Sequence, residues 1–351
     1  MRWRSDLPRL AALTVAAVVA LSAWDSARAA SVETLAVGTD LVALVREGGV
    51  GAGIGEPSGR VAVVGPTGSW WRVVAGGNGL ALKSVPAAEE PPLRADSDLL
   101  PDGIVTHGRG DIRRAWLTGP TERYRHGILG DAIEASGLAL ERLDGKVFRY
   151  RLDGGSVFED RRVRLVDLDR DGRDEAIVVH SYLDKGAALA VFALGPDSVE
   201  FLSETLPIGA PNRWLNLAGA DDYDGDGRVE VAFVETPHIG GTLKLYEFRD
   251  GRLVADHVAD GFSNHAIGSR EQQQSATLDW DGDGVPDLAL PDGRRRSLRV
   301  ISFAGGTPHE LANITHSAPI VTAVLPALLD ESGRVAVVYG LSDGTLVAVR
   351  P

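Results

Sequence analysis

Carboxylates recur at alternate positions in three short stretches: Asp167, Asp169 and Asp171 followed by Glu175; Asp222, Asp224 and Asp226 followed by Glu230; Asp279, Asp281 and Asp283 followed by Asp287. Numbered from the first Asp, these are positions 1, 3, 5 and 9, with Gly172, Gly227 or Gly284 at position 6. Carboxylates alternating along a tightly turned loop converge on one point, and the glycine permits the turn. The backbone carbonyl of position 7 (Arg173, Arg228 or Val285) would add another oxygen. An all-oxygen set of this kind suits Ca2+, a hard cation with flexible coordination, better than Mg2+, which keeps its waters. Three Ca2+ sites are therefore expected. An EF-hand loop begins alike but needs a Glu at position 12 and a helix on each side. Position 12 here is Val178, Phe233 or Leu290, and strand-like runs flank each loop, so that reading is rejected.

Other chemistry is hard to find. With no cysteine, the chain cannot form a disulfide, a zinc–thiolate centre, a thiol nucleophile or an iron–sulfur site. It contains neither a nucleophile elbow nor a phosphate-binding loop. His309-Glu310 begins like a zinc-protease motif, but Asn313 stands where the second His is required. The eight histidines are scattered, and Gly48–Gly55 reads as a glycine-rich loop. Arg109-Gly110-Asp111 spells an integrin-recognition tripeptide but falls within a degenerate repeat turn. Lys and Arg number 36 against 49 Asp and Glu, a net charge of -13. Such an excess of acid disfavours broad nucleic-acid binding. Residues 1–29 carry four Arg and two Asp, so the remaining 322 carry -15; without the twelve loop carboxylates this would be -3, and three Ca2+ would bring the loaded chain to -9. Most of the acid is thus local metal chemistry. The case against a nucleic-acid partner then rests on an export signal and on the lack of a dense basic stripe beyond Arg294–Arg296.

The elements that position these loops repeat. Gly172, Gly227 and Gly284 are spaced by 55 and 57 residues. Ser58–Val64 recurs unchanged as Ser332–Val338, and a degenerate copy lies at Gly110–Trp116, so anchor glycines fall at 59, 110, 172, 227, 284 and 333. Each unit has an apolar run before the anchor, a β-rich run after it, and further strand-like runs separated by turn signals such as Asp144-Gly145 and Asp250-Gly251. Helical periodicity is almost absent. Four short strands repeated every fifty or so residues predict an all-β chain folded as a β-propeller. Six blades of four strands are counted, with seven as the alternative. The last unit stops after about three strands, and Val32–Val37 would complete its blade and remove an exposed edge. Pro86–Pro101 reads as a surface insertion within a single domain of residues 30–351. Only the three central loops keep the ligand pattern. The first unit has Ile54, Glu56, Ser58 and Ala62 at those positions, the sixth has Leu328, Asp330, Ser332 and Ala336, and the second has Arg113 at position 9.

Asp-x-Asp-x-Asp-Gly-x-x-Asp/Glu followed by an apolar strand resembles the FG-GAP/VCBS repeat, which builds the propellers of integrin α subunits and of many exported bacterial proteins. The match covers about residues 161–303. The resemblance implies that each calcium loop joins the first and second strands of its blade on one face of the disc, that the ion is structural, and that the propeller binds proteins or glycans. Phe-Gly and Gly-Ala-Pro signatures are not evident, and integrin propellers have seven blades against the six counted here.

Arg2, Arg4 and Arg9 precede the uncharged run Leu10–Trp24, and Ala27-Arg28-Ala29 follows as a small-x-small cleavage pattern. This is the layout of a secretory signal peptide, and the run is short for a membrane helix. The mature chain is expected to begin near Ala30, in the periplasm or outside the cell, with no transmembrane segment. Adjacent Trp70 and Trp71 would point to opposite faces of a strand, and Trp280 inside the third loop is expected to pack. The function expected is non-catalytic, calcium-stabilised binding of a protein or glycan, in adhesion or envelope assembly. A polysaccharide lyase or hydrolase with its site in the central channel is the alternative.

Overall fold

The computed structural model describes residues 30–351 apart from 39–40, 42, 47–58, 66–67, 78 and 88–97. The signal-like segment, most of the Pro-rich stretch, the glycine-rich loop, and Ile54, Glu56 and Ser58 lie outside the described residues. The chain is all-β. Its one helical piece among those residues is a single 3-10 turn, Ala304–Gly306. No helix among them is long and apolar enough to cross a membrane.

Strand β1 (Ser31–Ala36) comes first, followed by a meander of β2 (Ala43–Arg46), β3 (Val61–Val64), β4 (Trp70–Gly76) and β5 (Gly79–Val85). The next meander is β6 (Thr106–His107), β7 (Ile112–Thr121), β8 (Glu134–Arg142) and β9 (Val147–Arg151). After the short strand β10 (Ser156–Phe158) come β11 (Arg164–Val166), β12 (Glu175–Tyr182), β13 (Gly186–Leu194) and β14 (Val199–Glu204). Then follow β15 (Leu215–Asp221), β16 (Glu230–Glu235), β17 (Thr242–Arg249) and β18 (Arg252–Asp260), and β19 (Ala276–Leu278), β20 (Asp287–Pro291), β21 (Ser297–Ser302) and β22 (His309–Thr315). The last meander is β23 (Leu325–Leu328), β24 (Val335–Gly340) and β25 (Thr345–Arg350). Its free edge is taken by β1, which runs antiparallel to β25 with Ser31 opposite Arg350 and Ala36 opposite Thr345.

The middle strands are buried on both faces. Every residue of Glu175–Val179 and Asp287–Pro291 is inside, and these runs are apolar after their first carboxylate. Continuous apolar strands of this sort belong to sheets covered on two sides. Outer strand β18 instead shows the alternation of a half-solvated strand. Apolar clusters join successive meanders from β6–β9 through to the last one, and the last one to β2–β5. Leu138 and Phe148 pack with Val178 and Phe192, and Val179 and Leu189 with Leu215 and Phe233. Val234 and Leu243 pack with Leu288 and Leu290, Leu298 and Val300 with Val337 and Val347, and Leu325 and Val338 with Val61 and Val73.

Two details depart from a plain four-strand repeat. Strand β10 pairs with β12 and also touches β8 through Phe158 opposite Ala135, fusing two meanders into a nine-stranded sheet. The cause is the full burial of Val157 and Phe158, which draws the connecting segment into the sheet. In addition, the register slips once in each of three outer hairpins, leaving Leu202, Asp256 and Leu311 as the extra residue of a β-bulge. Trp70 and Trp71 are both half-buried, and Trp71 packs on the Leu325–Val338 cluster.

Candidate metal centres

Each acidic loop joins the first and second strands of its meander: β11 to β12, β15 to β16 and β19 to β20. All three are folded by one hydrogen-bond scheme. The amide of position 6 donates to position 1, as Gly172 to Asp167 (2.9 Å), Gly227 to Asp222 (2.9 Å) and Gly284 to Asp279 (3.1 Å). The amide of position 5 donates to position 3 (3.2, 2.9 and 3.3 Å), and that of position 7 to position 5 (2.8, 2.9 and 2.8 Å). The anchor glycines take φ values of 89°, 94° and 89°, a region that costs a side chain strain.

Position 2 explains how the loop is fixed. Leu168, Tyr223 and Trp280 are buried in the apolar clusters, and their amides donate to the position 9 carboxylates, Glu175 (2.8 Å), Glu230 (2.7 Å) and Asp287 (2.8 Å). The apolar side chain pins the loop while its own amide aims the innermost acid. Trp280 packs, as expected from the sequence.

The structure brings together positions 1, 3 and 9 of every loop. Ligand oxygens of Asp167, Asp169 and Glu175, of Asp222, Asp224 and Glu230, and of Asp279, Asp281 and Asp287 lie within 4.8 Å of one another. The position 5 carboxylates of Asp171, Asp226 and Asp283 stand outside these groups, and Arg173, Arg228 and Val285 enter the network through their amides. Each loop also holds one buried carboxylate oxygen with no hydrogen-bond partner: Oδ1 of Asp167, of Asp222 and of Asp287. A desolvated acceptor left unpaired is costly, and a cation removes that cost. Burial, together with the neighbouring loop acids, pushes Glu175 up to about 7, Glu230 to about 8 and Asp287 to about 6. Crowded carboxylates of this kind ionise readily only beside positive charge.

The loops touch in series. Asp111 accepts from the Asp174 amide (2.9 Å) and from Arg173 Nε (3.1 Å), while the Gly110 amide donates to Asp174 (3.0 Å). The Arg109-Gly110-Asp111 tripeptide is thus spent in part on docking its turn against the first loop. Arg170 reaches Asp222 of the second loop (3.3 Å), and Gly225 lies against Val285 of the third. In the last unit Asp330 faces Arg350 (3.5 Å), a cation already in place, which fits the loss of its ligand pattern.

A second buried polar group carries no sequence motif, because its members are distant in sequence. Glu159 Oε1 meets His126 Nδ1 (2.6 Å) and its Oε2 accepts from Ser181 (2.6 Å). Asp160 accepts from Arg164, the amides of Arg161, Arg162 and Val179, and Gln272 Nε2. Nearby, His265 Nε2 lies 2.9 Å from the Ser269 carbonyl, so it carries the proton, and His265 Nδ1 accepts from His238 Nε2 (2.9 Å). Burial, reinforced by Arg295, pushes His238 down to about 4, and burial pushes His265 down to about 3. Both are neutral near pH 7. An unfolded His titrates near 6.5, so the unfolded state binds more protons below that value and stability falls as pH drops from about 6.5 toward 4 and 3. The pair's own contribution to the urea midpoint is expected to fall on acidification across this range, opposite in sign to that of the raised acids Glu175 and Glu230. A H238Q/H265Q variant should start lower at pH 7.5 yet lose less between pH 6.5 and 4.5; equal slopes would exclude the pair as the cause.

The family model for the FG-GAP-like repeat matches residues 222–290, from the first ligand of the second loop to Leu290 in the strand after the third. No curated protein matches the chain.

Proposed function

We propose that this FG-GAP repeat protein is an exported, calcium-stabilised β-propeller whose task is binding a protein or glycan. The observation that carries the reading is the threefold recurrence of one loop: the same amide scheme, the same buried position 9 acid, and one unpaired buried carboxylate oxygen each. Positions 1, 3 and 9 would hold the ion, with position 5 and the position 7 carbonyl completing its oxygen shell. Bound there, Ca2+ supplies charge compensation and a fixed loop shape rather than a reaction. Six blades follow if the meanders β2–β5, β6–β9, β11–β14, β15–β18 and β19–β22 each make one blade and β1 completes the last through β25. Residues 1–29 would direct export of a bacterial type and be removed near Ala29.

What weighs against the lyase or hydrolase alternative is the internal pairing of two buried acids. Glu159 and Asp160 are occupied by internal donors rather than presented to a substrate.

Calcium titration of the mature chain by calorimetry should give three equivalents. Glu175→Gln, Glu230→Gln and Asp287→Asn should each remove one equivalent and leave the other two. A stoichiometry unmoved by all three substitutions would discard these sites. A glycan array and a partner pull-down, each with and without calcium, test the binding role, and turnover of a polysaccharide by the purified protein would replace it with the enzymatic one.

A further inference from the structure

Strand β18 carries chemistry that its counterparts lack. Its hairpin with β17 has the same bulge as the hairpins β13–β14 and β21–β22. In those two, the extra residue and its successor are Leu202-Ser203 and Leu311-Ala312, and both leucines pack on apolar clusters. In β18 they are Asp256 and His257. Successive residues of a regular strand point to opposite faces, but a bulge re-aims one of them. Here both side chains turn toward Asp224 of the second acidic loop, and the ligand atoms of Asp224, Asp256 and His257 lie within 4.8 Å of one another.

His257 Nε2 is 3.0 Å from Asp256 Oδ2 and 3.5 Å from Asp224 Oδ2, yet it is buried and makes no hydrogen bond to either. An ion pair would aim an N–H at one oxygen. The two separations from the histidine, 3.0 and 3.5 Å, instead match the edges of a coordination shell, about 3–3.5 Å for bonds of about 2.1 Å. Asp224 Oδ1 is occupied by the Asp226 amide (2.9 Å), which leaves Oδ2 turned to the histidine. Two further contacts steady the site. The Gly305 amide donates to the Asp224 carbonyl (3.2 Å), and the His257 ring packs on Phe303 with centroids 5.4 Å apart.

We infer that Asp224, Asp256 and His257 form a second class of metal site, one for a divalent first-row transition ion of the Zn2+ type. Imidazole with two carboxylates suits such ions, whereas Ca2+ takes oxygen alone. The site goes beyond the calcium reading and shares only Asp224 with it. Three protein donors leave at least one coordination position for water or an outside ligand.

The test is Zn2+ titration of the mature chain held in millimolar Ca2+, with bound calcium measured separately. One equivalent of Zn2+ at micromolar affinity is expected, with calcium stoichiometry unchanged. Both His257→Gln and Asp256→Leu should weaken Zn2+ at least tenfold and leave calcium binding alone. The leucine variant copies the residue that the sister bulges already fold around. Co2+ should give visible absorption bands that His257→Gln abolishes. Absence of the Zn2+ equivalent, its survival in both variants, or release of one Ca2+ per Zn2+ bound would each overturn the assignment. Because calcium is scored on its own, failure of this site and failure of the three loop sites give different results.

Discussion

Chelation of calcium is expected to lower the melting temperature of the mature chain by about 12 °C relative to protein in excess calcium. An ion that binds only the folded state stabilises it by about 2.7 kcal/mol per site at a hundredfold excess over Kd, hence about 8 kcal/mol for three independent sites. Unfolding entropy of about 2.1 cal/mol/K per residue makes each kcal/mol worth about 1.5 °C in a chain of this length. The unfolded chain has no comparable site, because the cluster exists only when positions 1, 3 and 9 are folded against a buried position 2. Removing the ion also restores the unpaired oxygens of Asp167, Asp222 and Asp287 and the mutual repulsion of their loops. Differential scanning calorimetry in EDTA, in Ca2+ and in Mg2+ checks this, with Mg2+ expected to recover only part of the loss. Equal melting temperatures in EDTA and Ca2+ would show that the loops are folded by their amide network alone.

Legibility in the sequence follows how local each feature is. An acidic loop is written within nine residues, so its acids, its glycine and the strand behind it could be read directly, as could the strand that completes the last sheet. The buried position 2 side chain was just as local, but Leu168, Tyr223 and Trp280 differ in type, and only their shared burial reveals a common role. Asp256 and His257 could not be found by motif. They read as neighbours on opposite faces until the bulge is known, and their partner Asp224 belongs to another strand connection. Asp160 is a longer-range case: Gln272, one of its donors, is 112 residues away. Backbone repeats specify which strands form, while side-chain contacts between repeats depend on a register that periodicity does not encode. For the same reason β10 is not legible in the sequence, since Ser156–Phe158 is a three-residue strand with no repeat partner.

Arg164→Met is expected to destabilise the protein by about 3–5 kcal/mol, the range for stranding one member of a buried ion pair, far more than an exposed pair such as Lys146–Asp197 would cost. Arg164 and Asp160 are both buried, four residues apart at the entry to β11. Asp160 Oδ1 accepts from the Arg161 amide (2.8 Å) and Gln272 (3.0 Å), while Oδ2 has Arg164 and the more distant Val179 amide (3.2 Å). Truncating the arginine leaves that oxygen short of a donor, away from water, with an uncompensated charge. The same carboxylate joins the start of β11, the middle of β12 and the segment leading into β19, so the damage should spread across two sheets rather than stay local. A double-mutant cycle separates the pair from simple loss of packing. Asp160→Asn with Arg164→Met should be more stable than Arg164→Met alone, because an amide needs no counter-charge and its oxygen keeps the Arg161 amide and Gln272 as donors, giving up only the more distant Val179 amide. Urea denaturation in saturating calcium measures all four corners while the loops stay loaded. If the double variant is no more stable than Arg164→Met, the arginine acts as a packing residue and the carboxylate is not the hub that its donors describe.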